Sequence, residues 1–156
     1  MSSKVNPIPE GYRSVTPYLC IDGAADAIEF YKSAFDAEEL MRMSGPDGQI
    51  RHAEIQIGDS RIMLSDEVAE MNFRGPKSFG GSPVNIYLYV EDADVVFARA
   101  TEAGASVLMP LEDQFWGDRT GTFEDPFGHI WYVSTHQEDL SEEELNRRVA
   151  AALADS

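Results

Sequence analysis

The chain has a single cysteine, Cys20, among its 156 residues. An internal disulfide is therefore excluded, a thiolate-rich metal cluster has no ligands, and a reducing compartment fits best. Basic side chains are scarce too: 12 Lys and Arg stand against 28 Asp and Glu, a formal net charge of −16. A polyanion would be repelled over most of such a surface, so no nucleic-acid partner is expected. No apolar run approaches the ~20 residues that a membrane-spanning helix needs. The opening "MSSKVNPIPEGYRSV" also lacks the apolar centre of a secretory signal. These absences lead us to expect a cytoplasmic protein with no membrane partner.

What the chain does have is 43% apolar content, enough for one or two small cores, and an internal repeat. "YLCIDGAADAIEFYKSAF", from Tyr18, reads as a strand, a turn and a helix with Ala24, Ala27, Ile28, Tyr31, Ala34 and Phe35 on its apolar stripe. "YLYVEDADVVFARATEAG", from Tyr87, repeats that order with Ala93, Val96, Phe97, Ala100 and Ala103. The offset of 69 residues also lays "SRIMLS" at 60–65 over "HIWYVS" at 129–134. A duplicated unit of strand, helix and three strands follows.

In the first unit, residues 14–69, strands are expected at 15–21, near 37–43, at 50–57 and at 61–65. In the second, 84–136, they are expected at 84–90, 106–110, 119–124 and 129–134. Residues 1–13 form an N-terminal arm and 70–83 a Gly/Pro-punctuated linker. Within that linker "GPKSFGGSP" lacks the Gly-Lys-Ser/Thr spacing and following helix of a phosphate loop. Residues 137–156 form a helical tail, with Ser141 and Glu144 as a capping box and a thin stripe of Leu145, Val149 and Leu153. So thin a stripe must dock on the body of its own chain or on a partner subunit.

The repeated unit, the "AIEFYKSAF" helix and the "EDPFGHIW" turn together resemble the vicinal oxygen chelate superfamily of glyoxalases, bleomycin resistance proteins and extradiol dioxygenases. "FWGDRTGTFEDPFGHIWYVSTHQEDLSEEEL" is similar to its PhnB-like group. The resemblance covers residues 14–136 and implies an α+β fold: paired βαβββ units forming a curved mixed-sheet cleft, with the C-terminal helix added. It also implies a homodimer. In that superfamily the cleft floor often holds a divalent metal on ligands from the first and last strand of each unit. Those positions correspond here to Thr16, Met63, Asn85 and Tyr132. None is an imidazole or a carboxylate, so the usual metal centre is not expected.

Strand alternation extends the cleft set: Tyr18 and Cys20 share a face with Thr16, Tyr87 and Tyr89 with Asn85, and Ile130 and Ser134 with Tyr132. The other faces, through Leu19, Ile21, Ile86, Leu88, Val90, Trp131 and Val133, suit helix packing. On 50–57, His52, Glu54 and Gln56 alternate with Ala53, Ile55 and Ile57. His52 and Glu54 are thus a candidate acid/base pair or partial metal site; the plainer alternative is a polar strand face. His129 shares parity with Trp131 and is expected away from the cleft, and His136 is expected in the tail connection, exposed.

Trp116, beside Phe115, can cover a flat ligand, and Arg119 can pair with a ligand's carboxylate or phosphonate. Equally, Trp116 can pack structurally and Arg119 can pair with Asp113 or Asp118. The leading expectation is a small-molecule ligand held without a metal cofactor by Thr16, Tyr18, Met63, Asn85, Tyr87, Trp116, Arg119 and Tyr132. The alternative is a metal-dependent lyase, isomerase or dioxygenase built on His52 and Glu54.

Overall fold

The computed structural model describes residues 4–156; the first three residues of the N-terminal arm lie outside the described part. The chain divides into two compact units, one ending at Gly81 and the other beginning at Ser82. In the first unit β1 (Tyr18–Ile21) leads into α1 (Ala24–Phe35), followed by β2 (Glu38–Ser44), β3 (Ile50–Ile57) and β4 (Ser60–Asp66). A 3-10 turn at Ala69–Met71 and a short α2 (Pro76–Phe79) complete it. The second unit repeats the order with β5 (Asn85–Tyr89), α3 (Ala93–Glu102), β6 (Ser106–Asp113), β7 (Asp118–Glu124) and β8 (Ile130–His136). The helix α4 (Glu142–Ala154) follows. Each unit carries a four-stranded sheet, ordered β1-β4-β3-β2 and β5-β8-β7-β6, in which the first and last strands pair in parallel and the others antiparallel. The fold is α+β.

Periodicity decides which face of each sheet is covered. The apolar stripe of α1 is buried from Ala24 to Phe35, and under it lie Leu19, Ile21, Ala53, Ile55, Ile62 and Leu64. In the second unit Phe97 of α3 meets Phe123 edge-on at 5.8 Å between ring centres, and Trp131 and Val133 beside it are fully buried. Truncating Trp131 to alanine in such a place typically costs about 3–5 kcal/mol.

The duplication extends to single hydrogen bonds. Asp66 Oδ1 at the end of β4 accepts the Ala24 amide at 2.9 Å, and Thr135 Oγ1 near the end of β8 accepts the Ala93 amide at 2.9 Å. Both pairs stand 69 residues apart, so each last strand caps the helix of its own unit. Register also locates a hidden slip. Tyr18 faces Met63 as Tyr87 faces Tyr132, at offset 69, but Glu54 faces Met63 as Thr122 faces Tyr132, at offset 68. The extra residue lies in the turn between the last two strands, which is Gly58 and Asp59 in one unit and Pro126, Phe127 and Gly128 in the other.

Four local features differ from the sequence-based expectation. β1 begins at Tyr18 rather than at 15, because Pro17 has no N–H to give and only its carbonyl joins the ladder, accepting Met63 N at 3.0 Å. β6 runs on through Pro110 to Asp113, tolerable on an edge strand whose register is irregular there. His136 ends β8 instead of belonging to the tail connection. The segment read as a linker is ordered by Glu67, whose carboxylate accepts Gly75 N at 2.8 Å and Ser78 Oγ at 2.7 Å. Those bonds hold the Glu67 carboxyl below the usual range. Gly75 itself is required: a Cβ there would lie 2.6 Å from the Cys20 carbonyl oxygen. Among the described residues no helix is long and apolar enough to cross a membrane.

Candidate functional site

Each sheet keeps one face free of its helix, and the candidate residues gather there. In the first unit the ladder lines up Tyr18, Met63, Glu54 and Met41 as neighbours on adjacent strands. Tyr18 OH lies 2.7 Å from His52 Nδ1, and His52 Nε2 lies 2.9 Å from Glu54 Oε2. Glu54 ionised only accepts, so Nε2 carries a proton and donates to it, and in the neutral ring Nδ1 accepts the Tyr18 hydroxyl. The three side chains thus form a hydrogen-bonded relay that starts at a phenol 44% exposed. Phe73, from the segment after the 3-10 turn, meets the Tyr18 ring edge-on at 5.5 Å.

In the second unit the equivalent row is Tyr87, Tyr132, Thr122 and Met109. Tyr87 and Tyr132 stack with ring centres 5.4 Å apart and planes within 11°. Tyr87 OH reaches Thr120 Oγ1 at 3.1 Å, and Thr120 holds the position that His52 has in the first unit. Behind them sits Asp118, 4% exposed. Its Oδ2 accepts Tyr87 OH at 2.9 Å and Tyr89 OH at 3.1 Å, while Oδ1 faces His136 Nδ1 at 2.7 Å. Burial works to raise the Asp118 pKa, but the bonds from His136, Tyr87 and Tyr89 prevail and hold it below the usual value. Tyr89 moves the other way, pushed up to about 12 by burial and then by the Asp118 carboxylate.

Of the residues expected from sequence, Tyr18, His52, Glu54 and Met63 come together in one unit, and Tyr87 and Tyr132 in the other. Thr16 precedes β1 and is half-buried, and Asn85 opens β5, exposed. Cys20, on the Tyr18 face by parity, is buried, and burial followed by the charges of Glu67 and Asp66 pushes its thiol up to about 11. Trp116 is half-buried against Phe115, edge-on at 5.0 Å. Arg119 grips Asp94 of α3 through two bonds of 2.9 Å and reaches Asp113 at 3.2 Å. Of the two carboxylates that the sequence offered it, Asp113 is taken, whereas Asp118 belongs to the tyrosines.

The "EDPFGHIW" motif resolves into a hairpin clasp. Asp125 Oδ1 accepts Phe127 N at 2.9 Å and His129 N at 3.0 Å, and Oδ2 accepts Trp131 Nε1 at 2.9 Å. His129 is buried beside it.

Sequence reasoning missed Asp118 and Phe73. No signal in the sequence marks Asp118, because only the strand pairing reveals that it occupies the place of Ile50, a buried apolar position in the first unit. As for metal, the expected ligand positions offer a hydroxyl, a thioether, an amide and a phenol, a donor set that does not fit a hard divalent ion. Among the described residues no three His, Cys, Asp or Glu side chains gather as such a group. Both ring nitrogens of His52 are already engaged.

Comparison with known proteins gives the family and the fold. The family model of the glyoxalase/bleomycin resistance protein/dioxygenase superfamily matches residues 14–133. The chain is 44% identical to the Mycobacterium bovis protein Mb0911c over 141 residues, 88% of this chain and 93% of that one. The solved structure of the Arabidopsis thaliana gene product At5g48480 superposes with a TM-score of 0.64 at 27% identity, covering 79% of this chain and 98% of that one. The PhnB protein from Bacillus cereus superposes with a TM-score of 0.64 at 22% identity, covering 79% and 99%. That last likeness is one of fold.

Proposed function

Since the chain belongs to the glyoxalase/bleomycin resistance protein/dioxygenase superfamily, we propose that it binds a small organic molecule, flat and aromatic or carbonyl-bearing, without a metal centre. The observation that carries this reading is the composition of the sheet faces left free of helix. Stacked Tyr87 and Tyr132 and the Tyr18–Met63 pair offer flat, polarisable surfaces, and each well-placed ring contact adds about 0.5–1.5 kcal/mol. The relay from Tyr18 through His52 to Glu54 supplies a polar handle. Few, well-placed polar groups among aromatic ones are what orient a ligand, and the free face of each unit carries its own such set. Trp116, half-buried on its loop, is assigned as ligand cover.

Calorimetric screening of aromatic metabolites and antibiotics tests it. A binder is expected whose affinity falls at least tenfold, about 1.4 kcal/mol, in Tyr132→Ala and to a smaller degree in Trp116→Ala. A screen without binders, or binding indifferent to both changes, contradicts it.

The same relay favours a second reading, a lyase, isomerase or dioxygenase that moves a proton next to a carbonyl, with His52 and Glu54 as catalytic residues. A metal held by His52 would have to displace Tyr18 or Glu54 from its ring. Stoichiometric metal in protein purified without chelators, lost in His52→Ala, would reverse the ranking. A homodimer and a cytoplasmic location complete the proposal. The exposed Val149 and Leu153 of α4 support a second copy, which light scattering would detect.

A further inference from the structure

The tail that follows β8 rests on the loop carrying Phe115 and Trp116. The amides of Gln137 and Glu138 both donate to the Gly117 carbonyl, at 2.8 and 3.0 Å. Gly117 has φ +98°, and a Cβ there would lie 2.7 Å from the Glu138 carbonyl oxygen, so glycine is needed for this approach. From α4, Arg148 donates to the Phe115 carbonyl at 3.0 Å and to Glu138 at 2.8 Å. One loop is therefore held from both ends of the tail.

His136 adds a further hold with a property that the others lack. Its Nδ1 lies 2.7 Å from Asp118 Oδ1 on β7, and its Nε2 lies 2.8 Å from Asp139 Oδ1 in the tail. Ionised carboxylates only accept, and a neutral imidazole has one N–H. Both contacts are hydrogen bonds only when the ring carries two protons. Besides Asp118 and Asp139, the titratable group that faces the ring among the described residues is Tyr89 of β5, edge-on at 6.5 Å.

The two carboxylates differ in what they lose when the proton leaves. The Asp118 side chain is 5% exposed and would be left short of a donor, whereas that of Asp139 is fully exposed and water replaces the ring at little cost. We infer that His136 is a protonation-operated clasp on the tail: the imidazolium bridges Asp118 and Asp139, and its deprotonation frees Asp139 and loosens the tail over the Trp116 loop while Asp118 keeps its tyrosines. The hydrogen bonds to Asp118 and then Asp139 hold the His136 pKa above the ordinary 6.5. A raised folded value means that the clasp is fully closed below the unfolded value and opens as pH rises through the folded one. The consequence for ligand cover rests on the proposed function, but the clasp does not.

The test is therefore ligand-free and uses the full chain. NMR follows the His136 ring from about pH 5.5 to about pH 8.5, with amide-exchange protection factors at Glu138 and Asp139 measured alongside, in the unsubstituted protein and in Asp139→Asn. The unsubstituted ring is expected to titrate above 6.5, with tail protection falling a few-fold across that midpoint. In Asp139→Asn the midpoint moves down and tail protection is low and flat. A midpoint at or below 6.5, or a pH profile of protection that persists in Asp139→Asn, overturns the clasp.

Discussion

The two sheets place the same rows of side chains side by side and use them differently. Tyr18, Met63, Glu54 and Met41 in the first unit correspond to Tyr87, Tyr132, Thr122 and Met109 in the second. The ends of the row are kept, while the middle changes from a thioether and a carboxylate to a phenol and a hydroxyl. In the first unit the tyrosine hydroxyl meets the His52 imidazole, which in turn meets Glu54. In the second it meets a buried carboxylate that is itself braced by His136. A duplicated backbone thus fixes where a side chain can stand, and two or three substitutions decide whether the place holds a hydrogen-bonded relay or a stacked pair of rings.

The turns at the ends of the sheets offer the largest expected contrast. Asp125→Ala removes the acceptor of Phe127 N, His129 N and the buried Trp131 Nε1–H, and should cost about 3 kcal/mol in urea denaturation. Asp59→Ala, in the shorter and exposed turn of the first unit, should stay within about 0.5 kcal/mol. Equal costs would mean that the two hairpins are held in the same way.

Helix capping comes next. Asp66 takes the amides of Gly23, Ala24 and Ile50, whereas Thr135 takes that of Ala93 and donates to the Val90 carbonyl. Asp66→Ala should therefore cost about 2 kcal/mol and Thr135→Val about 1 kcal/mol. The reverse order in thermal melts would break the correspondence between the caps.

The smallest effect concerns acid. Asp118 has a folded pKa below its ordinary 3.8, so its contribution is present above 3.8 and lost as pH falls through the lower folded value. Its counterpart in the first unit, Ile50, cannot titrate. Replacing Asp118 by asparagine should flatten stability against pH in that acidic window while leaving the neutral-to-alkaline limb of His136 shifted downward. An unchanged acidic slope would remove Asp118 from the network's electrostatics.

Much of this was legible in the sequence because its signals are local. The α1 stripe from Ala24 to Phe35, the alternation of His52, Glu54 and Gln56 with Ala53, Ile55 and Ile57, and the Ser141 cap all depend on neighbours within a few positions. The offset between Tyr18 and Tyr87 likewise needs only the string itself. What escaped was set by distant partners. Asp118 gains its role from Tyr87 and Tyr89, 31 and 29 residues away, and reads locally as one more acid in an acidic chain. β1 starts late because Pro17 removes a donor that strand propensity does not count. Phe73 was hidden in a stretch whose glycines and prolines pointed to a linker, though the Glu67 carboxylate folds it back.

The central claim, that the helix-free sheet faces bind an aromatic or carbonyl-bearing small molecule, is tested most directly by NMR. Methionine methyl and tyrosine ring signals would be followed while such compounds are titrated into the protein. The account predicts that a binder shifts Tyr18 with Met63 on the first sheet, or Tyr87 with Tyr132 on the second, and leaves the exposed Met71 still. A binder that moves Met71 or the α3 surface while those four stay fixed would contradict it.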